Sequence, residues 1–114
     1  MRFNTALLHS AKLGDENTGA TLTPIYQSSA FYQPSAEQHE KLFHNKATGY
    51  SYTRINNPTI AAFEERMTNL EKGVGSVACS SGMAALTNAL LNIVGAGGEI
   101  VSSTGLYGGT IDLF

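Results

Sequence analysis

The sequence predicts an α/β fold, a mostly parallel sheet interleaved with helices and entered through an extended N-terminal arm. Three observations carry this. Asn57-Pro58 opens an apolar stripe at helical spacing. Two short strand-like segments, the apolar Val77–Cys79 and Glu99–Ser102, lie on either side of a second helical stretch. Glycines punctuate the junctions between them. The order helix, strand, helix, strand, helix is the grammar of parallel-sheet domains.

The arm comes first. Residues 1–56 carry little sustained periodicity. Thr21–Tyr26 reads as extended, because Thr23 precedes Pro24 and is pushed out of the helical region. Ser35 is placed to cap a short helix through Phe43, with Gln38 as its capping-box partner. A segment with so few core signals is expected to lie across another surface rather than to pack alone.

At Asn57-Pro58 the pattern changes. Asparagine at the cap and proline at the first helical position suit a helix start. Ile60, Phe63, Met67 and Leu70 then recur at three and four residues, one face of a helix that Gly73 and Gly75 end. Val77–Cys79 is expected to be a buried strand. Met83–Val94 resumes helical spacing through Leu86 and Leu90, and Gly95–Gly98 closes it. Glu99–Ser102 reads as a second strand, Gly105–Gly109 as a loop, and Thr110–Phe114 as the first turn of another helix. Two strands make a sheet too small to stand alone, and Ile111, Leu113 and Phe114 have nothing after them to cover them. The expectation is therefore the N-terminal piece of a larger protein, with an arm over 1–56 and the start of an α/β domain over 57–114.

Composition excludes several classes. Of 114 residues, 42% are hydrophobic and 14% charged, which is globular rather than disordered. A net charge of -2 and the lack of a Lys/Arg run leave no footprint for nucleic acid or an anionic membrane. No apolar stretch nears the roughly 20 residues of a membrane span. Cys79 is the single cysteine, so a reducing cytoplasmic setting is expected. His9, His39 and His44 have no metal-ligand spacing, and no metal is expected.

Three places could carry chemistry. Ser80–Met83 lies where a strand meets a helix, and free N–H groups there suit a phosphate; serine equally caps helices that bind nothing. Arg54 offers a fork that matches a phosphate, and Tyr52 could add a hydroxyl from the same face of an extended segment; both also suit a plain protein surface. Tyr107 sits among Gly105, Gly108 and Gly109, with room to lie against a planar ligand or to anchor the loop by its ring. Neither a P-loop nor a dinucleotide fingerprint is present.

Taken together, "YSYTRINNPT", "CSSGMAA" and "LYGGTIDLF", in this order, resemble the Cys/Met-metabolism family of pyridoxal-phosphate enzymes. "DENTGATLTPIYQSSAF" looks like that family's N-terminal arm, so the resemblance spans nearly the whole chain. It implies an aspartate-aminotransferase-type domain (fold type I) and pyridoxal 5'-phosphate as cofactor. It also implies that Tyr52 and Arg54 bind the cofactor phosphate in a neighbouring subunit of a homo-oligomer, a homotetramer in this family. Gly82 and Met83 match the backbone pair that holds the same phosphate, with Ser81 beside them. Tyr107 matches the tyrosine that stacks on the pyridine ring and assists proton transfer.

"ALLHSAKLGDENTGA", "PIYQSSAF", "EKLF" and "LYGGTIDLF" look most like the O-acetylhomoserine sulfhydrylases within the family. Those enzymes replace the acetate of a small amino-acid substrate with sulfide or a thiol. Cystathionine γ-synthase, the cystathionine lyases and methionine γ-lyase are the alternatives. The family's cofactor-bearing lysine and its pyridine-nitrogen aspartate are matched by nothing here: Lys12, Lys41, Lys46 and Lys72 lie in other contexts. These 114 residues alone are accordingly expected to be inactive. A non-catalytic interface fragment, or an unrelated phosphate-binding module built on Ser81 and Gly82, would be the readings outside the family.

Overall fold

Asn57 begins the longest helix as its chemistry dictates. In the computed structural model, which describes residues 2–11 and 14–114, its side-chain oxygen accepts from the Thr59 N–H at 2.8 Å. Pro58, which has no N–H to satisfy, takes the first helical position. The described residues hold five helices: α1 (Phe3–His9), α2 (Ala36–Phe43), α3 (Pro58–Glu71), α4 (Gly82–Ile93) and α5 (Gly108–Leu113). By its contacts the chain divides into two units, Met1–Val77 and Ala78–Phe114.

In the first unit α1 packs on α3, and the Asn69 side chain donates to the Ser10 carbonyl. Composition gave no warning of α1; Leu7 and Leu8 are exposed and its N-cap residue, Arg2, makes no side-chain cap. Ser35 caps α2 as expected, accepting from the Gln38 N–H at 3.1 Å. The end of α3 differs from expectation. Lys72, not a glycine, takes the left-handed position at φ 55°, and the following Gly73 N–H reaches back to Thr68 O at 2.9 Å.

In the second unit Ser81 caps α4, with Oγ accepting from the Ala84 N–H at 3.1 Å. α4 therefore starts at Gly82, and α5 starts at Gly108, each earlier than periodicity indicated. The two helices of this unit pack on one another.

The expected parallel sheet is corrected by the structure. Among the described residues there is no strand, only two isolated antiparallel bridges, Asp15 with Ala20 and Ala30 with Tyr52. Val77–Cys79 and Glu99–Ser102 are irregular, and Val77 and Val101 are exposed. The reason is that a strand is made by its lateral partner. Apolar residues supply a face to bury but not the second row of N–H and C=O groups that a ladder requires.

Little is buried. Among the described residues Ala11 is the buried apolar side chain, and Asn57 and Thr110 are the buried polar ones. The α3 stripe is half open, with Ile60 and Phe63 exposed. The helical spacing of the stripe is as the sequence predicts.

Candidate anion-binding site

The segment Gly49–Asn57 is held along its length by hydrogen bonds, and Tyr52 and Arg54 ride on it. The Gln33 amide donates to Tyr50 O at 2.7 Å, and the Phe31 N–H donates to Ser51 O at 3.0 Å. The Thr53 N–H donates to Ser29 O at 2.9 Å, flanking the bridge between Ala30 and Tyr52. Asn56 closes the segment on itself, its amide donating to Gly49 O at 2.8 Å.

Tyr52 and Arg54 do not lie on an extended stretch, as the alternation of residues suggested. The Ile55 and Asn56 N–H groups both turn back onto Tyr52 O, at 2.9 and 3.1 Å. That turn brings the two side chains together all the same: the Arg54 guanidinium carbon stands 4.8 Å from the centroid of the Tyr52 ring. Both residues are exposed. Arg54 forms no ion pair among the described residues, where the recorded pairs are Lys41 with Glu37 and His44 with Glu40. Its hydrogen-bonding edges are open to an anion.

In the second unit the first turn of α4 presents a different set of donors. Ser81 Oγ is occupied as an acceptor by the Ala84 N–H, which leaves its proton to donate. The Gly82 and Met83 N–H groups have no acceptor among the described residues, as the first turn of a helix demands. A Cβ placed on Gly82 would meet nothing within 4 Å, so the backbone there is open to close approach.

Tyr107 immediately precedes α5 and is 75% exposed. Its ring lies over Gly109: a Cβ at that position would stand 2.8 Å from Tyr107 Cε1 and 3.3 Å from Met83 Sδ. The fold thus brings Tyr107 and Met83 together over one glycine, a convergence that the "YGG" run hinted at without naming Met83.

Tyr52 and Arg54 belong to the first unit, and Ser81, Gly82, Met83 and Tyr107 to the second. In chemical type each set fits a phosphorylated aromatic ligand. A guanidinium, a phenol, a serine hydroxyl and two free N–H groups are all donors, suited to a dianion. Tyr107 offers an uncovered ring face beside a thioether. Two depressions, of about 330 and 730 Å³, border Tyr50 and are lined by neither Tyr52 nor Arg54. Cys79 is half-buried, with the Asn88 amide 3.6 Å from its sulfur. No group of His, Cys, Asp or Glu among the described residues could hold a metal ion, and no helix there is long and apolar enough to cross a membrane.

Sequence reasoning missed the tie between the arm and α3. Asn57 and Thr59 bind the backbone of Pro24 and Tyr26 across more than thirty residues of chain. Only the "NPT" triplet at the helix start could have signalled it.

Comparison with known proteins extends this picture. O-acetyl-L-homoserine sulfhydrylase of Corynebacterium glutamicum is 49% identical over 112 residues, covering 98% of this chain and 26% of the relative. Cystathionine gamma-lyase of Bacillus subtilis is 44% identical over 110 residues, covering 96% of this chain and 27% of the relative. Among solved structures, a putative O-acetylhomoserine (thiol)-lyase of Campylobacter jejuni superposes with a TM-score of 0.88 at 32% identity, over 99% of this chain and 28% of that one. That enzyme was solved with a pyridoxyl-lysine monophosphate. The chain spans about a quarter of the length of these proteins, 26% in the first. The model of the Cys/Met metabolism PLP-dependent enzymes matches residues 4–114, and the chain belongs to that pyridoxal-phosphate family.

Proposed function

We propose that the intact protein is an O-acetylhomoserine sulfhydrylase. It replaces the acetate of O-acetylhomoserine with sulfide or a thiol, giving homocysteine or methionine. The observation that carries this reading is the 49% identity to the Corynebacterium sulfhydrylase across 98% of the chain. The 44% identity to a cystathionine gamma-lyase supports the second reading, another member of the same family acting by elimination.

In this reading the chain's residues take distinct tasks. Tyr52 and Arg54 grip the cofactor phosphate by a phenol and a guanidinium, and they do so in the site of a neighbouring subunit. Ser81, Gly82 and Met83 would hold the phosphate of the subunit's own cofactor, through a hydroxyl and the first N–H groups of α4. Bound pyridoxal phosphate supplies an electron sink for a substrate carbanion. Tyr107 would offer its ring to the pyridine, and its hydroxyl would be the group that holds or moves a proton. The arm over 1–56 reaches the neighbour, and 57–114 begins a domain of the aspartate-aminotransferase type. A homotetramer in the reducing cytoplasm is the setting. A polypeptide of these 114 residues alone lacks a lysine in the family's context and is expected not to turn over.

The test is direct. Purified intact protein with pyridoxal phosphate is supplied with O-acetylhomoserine and sulfide, or with cystathionine. Homocysteine formed from the first pair, well above breakdown of the second, supports the sulfhydrylase. Cystathionine cleavage without replacement overturns it in favour of the lyase. Arg54→Ala should lose cofactor on dialysis; retention as tight as wild type would overturn the phosphate assignment.

A further inference from the structure

We infer that Asn57 is a positioning residue: through its side-chain amide it fixes the Tyr52–Arg54 pair in the geometry that receives a phosphate. The inference rests on the phosphate role proposed for that pair.

Asn57 is the most buried of the described polar residues, at 4% exposure, where few of the described residues are buried at all. Capping α3 uses only its oxygen, which accepts from the Thr59 N–H at 2.8 Å. Its amide nitrogen does something a cap does not need. It donates to Thr53 Oγ1 at 2.7 Å and to Tyr26 O at 2.9 Å, using both of its hydrogens.

Thr53 stands between Tyr52 and Arg54. It is held by Asn57 at its hydroxyl and by Ser29 O at its N–H, 2.9 Å away. With both handles of Thr53 occupied, its two neighbours leave the turn in fixed directions. Thr59 reinforces the same anchor, its hydroxyl accepting from the Tyr26 N–H at 2.8 Å and donating to Pro24 O at 3.2 Å. The rigid start of α3 is thereby linked to the turn that carries the open guanidinium.

A cap alone would be satisfied by serine, threonine or aspartate. Serine is too short to span to Thr53 and Tyr26, so Asn57→Ser separates the two roles. Thr53→Ala removes the acceptor and leaves the cap intact.

The experiment measures the affinity of intact apoprotein for pyridoxal phosphate and for pyridoxal, which lacks the phosphate, in wild type, Asn57→Ser, Thr53→Ala and Arg54→Ala. Positioning predicts that Asn57→Ser and Thr53→Ala each lower the preference for the phosphorylated ligand by about fivefold or more, with pyridoxal affinity within twofold of wild type. If Arg54→Ala loses the preference and both positioning variants keep it, the inference falls and the phosphate role stands. Should Asn57→Ser not fold, Thr53→Ala decides alone. Weakening of both ligands alike in the positioning variants would show a purely structural role and overturn the inference. Preference retained in Arg54→Ala would overturn the phosphate role itself.

Discussion

The Tyr107 ring rests over Gly109 with no room for a side chain beneath it: a Cβ there would lie 2.8 Å from Cε1. The obstructing atom is the far end of a side chain rather than backbone, so a substitution moves the ring and spares the fold. Gly109→Ala is expected to swing Tyr107 away and weaken pyridoxal-phosphate binding. Stability should hold or rise by up to about 1 kcal/mol, because alanine is the better helix former. Tyrosine near-UV dichroism and thermal unfolding of the intact protein check both halves.

Ser81 separates capping from binding. Ser81→Ala removes the acceptor for the Ala84 N–H and should cost about 1 kcal/mol. Ser81→Asp keeps an acceptor and favours the α4 dipole, yet under the proposed assignment it would set a carboxylate against the phosphate. The expected result is stability near wild type with cofactor affinity largely lost. A titration with pyridoxal phosphate beside a denaturant melt reads the two effects.

Arg54→Lys keeps the charge and loses the planar fork. Losing one charge-assisted hydrogen bond, about 1.5 kcal/mol, predicts about tenfold weaker cofactor binding. Equilibrium dialysis of the intact protein measures it; unchanged affinity would overturn a bidentate contact from Arg54.

Gly14 has φ +86°, and a Cβ on it would run into the Ala20 carbonyl oxygen, which is backbone and cannot swing aside. Gly14→Ala is expected to cost about 1–3 kcal/mol. Gly19→Ala, at φ +71° with open space around it, should cost less. Thermal midpoints of the two variants give the comparison.

Asp15 is held below the usual carboxylate range, first by the Asn17 N–H and then by the Thr18 hydroxyl, with smaller help from the Asn17 side chain. Because its folded pKa lies below the unfolded one, its contribution to stability is present above the unfolded value. It is lost as pH falls through the folded value. Carbon-detected titration of Asp15 should show a midpoint below that of an unstructured aspartate. Asp15→Asn should flatten this part of the acid limb.

What the sequence determined by itself was local chemistry. Ser35, Asn57 and Ser81 cap α2, α3 and α4 as their side chains dictate, because a cap needs only an acceptor within three residues. Family membership was legible too, since Tyr52, Arg54, Gly82, Met83 and Tyr107 occur in motifs a linear reading can match. Tertiary structure decided what depends on distant partners. Val77–Cys79 and Glu99–Ser102 carry strand composition but form no ladder among the described residues, because backbone pairing comes from outside the segment. The arm's hold on α3 rests on hydrogen bonds from Asn57 to Tyr26 and from Tyr26 to Thr59, more than thirty residues apart. No periodicity records such a bond. The stacking of Arg54 on Tyr52 likewise depends on a turn at Tyr52 O, which residue alternation had read as extended chain.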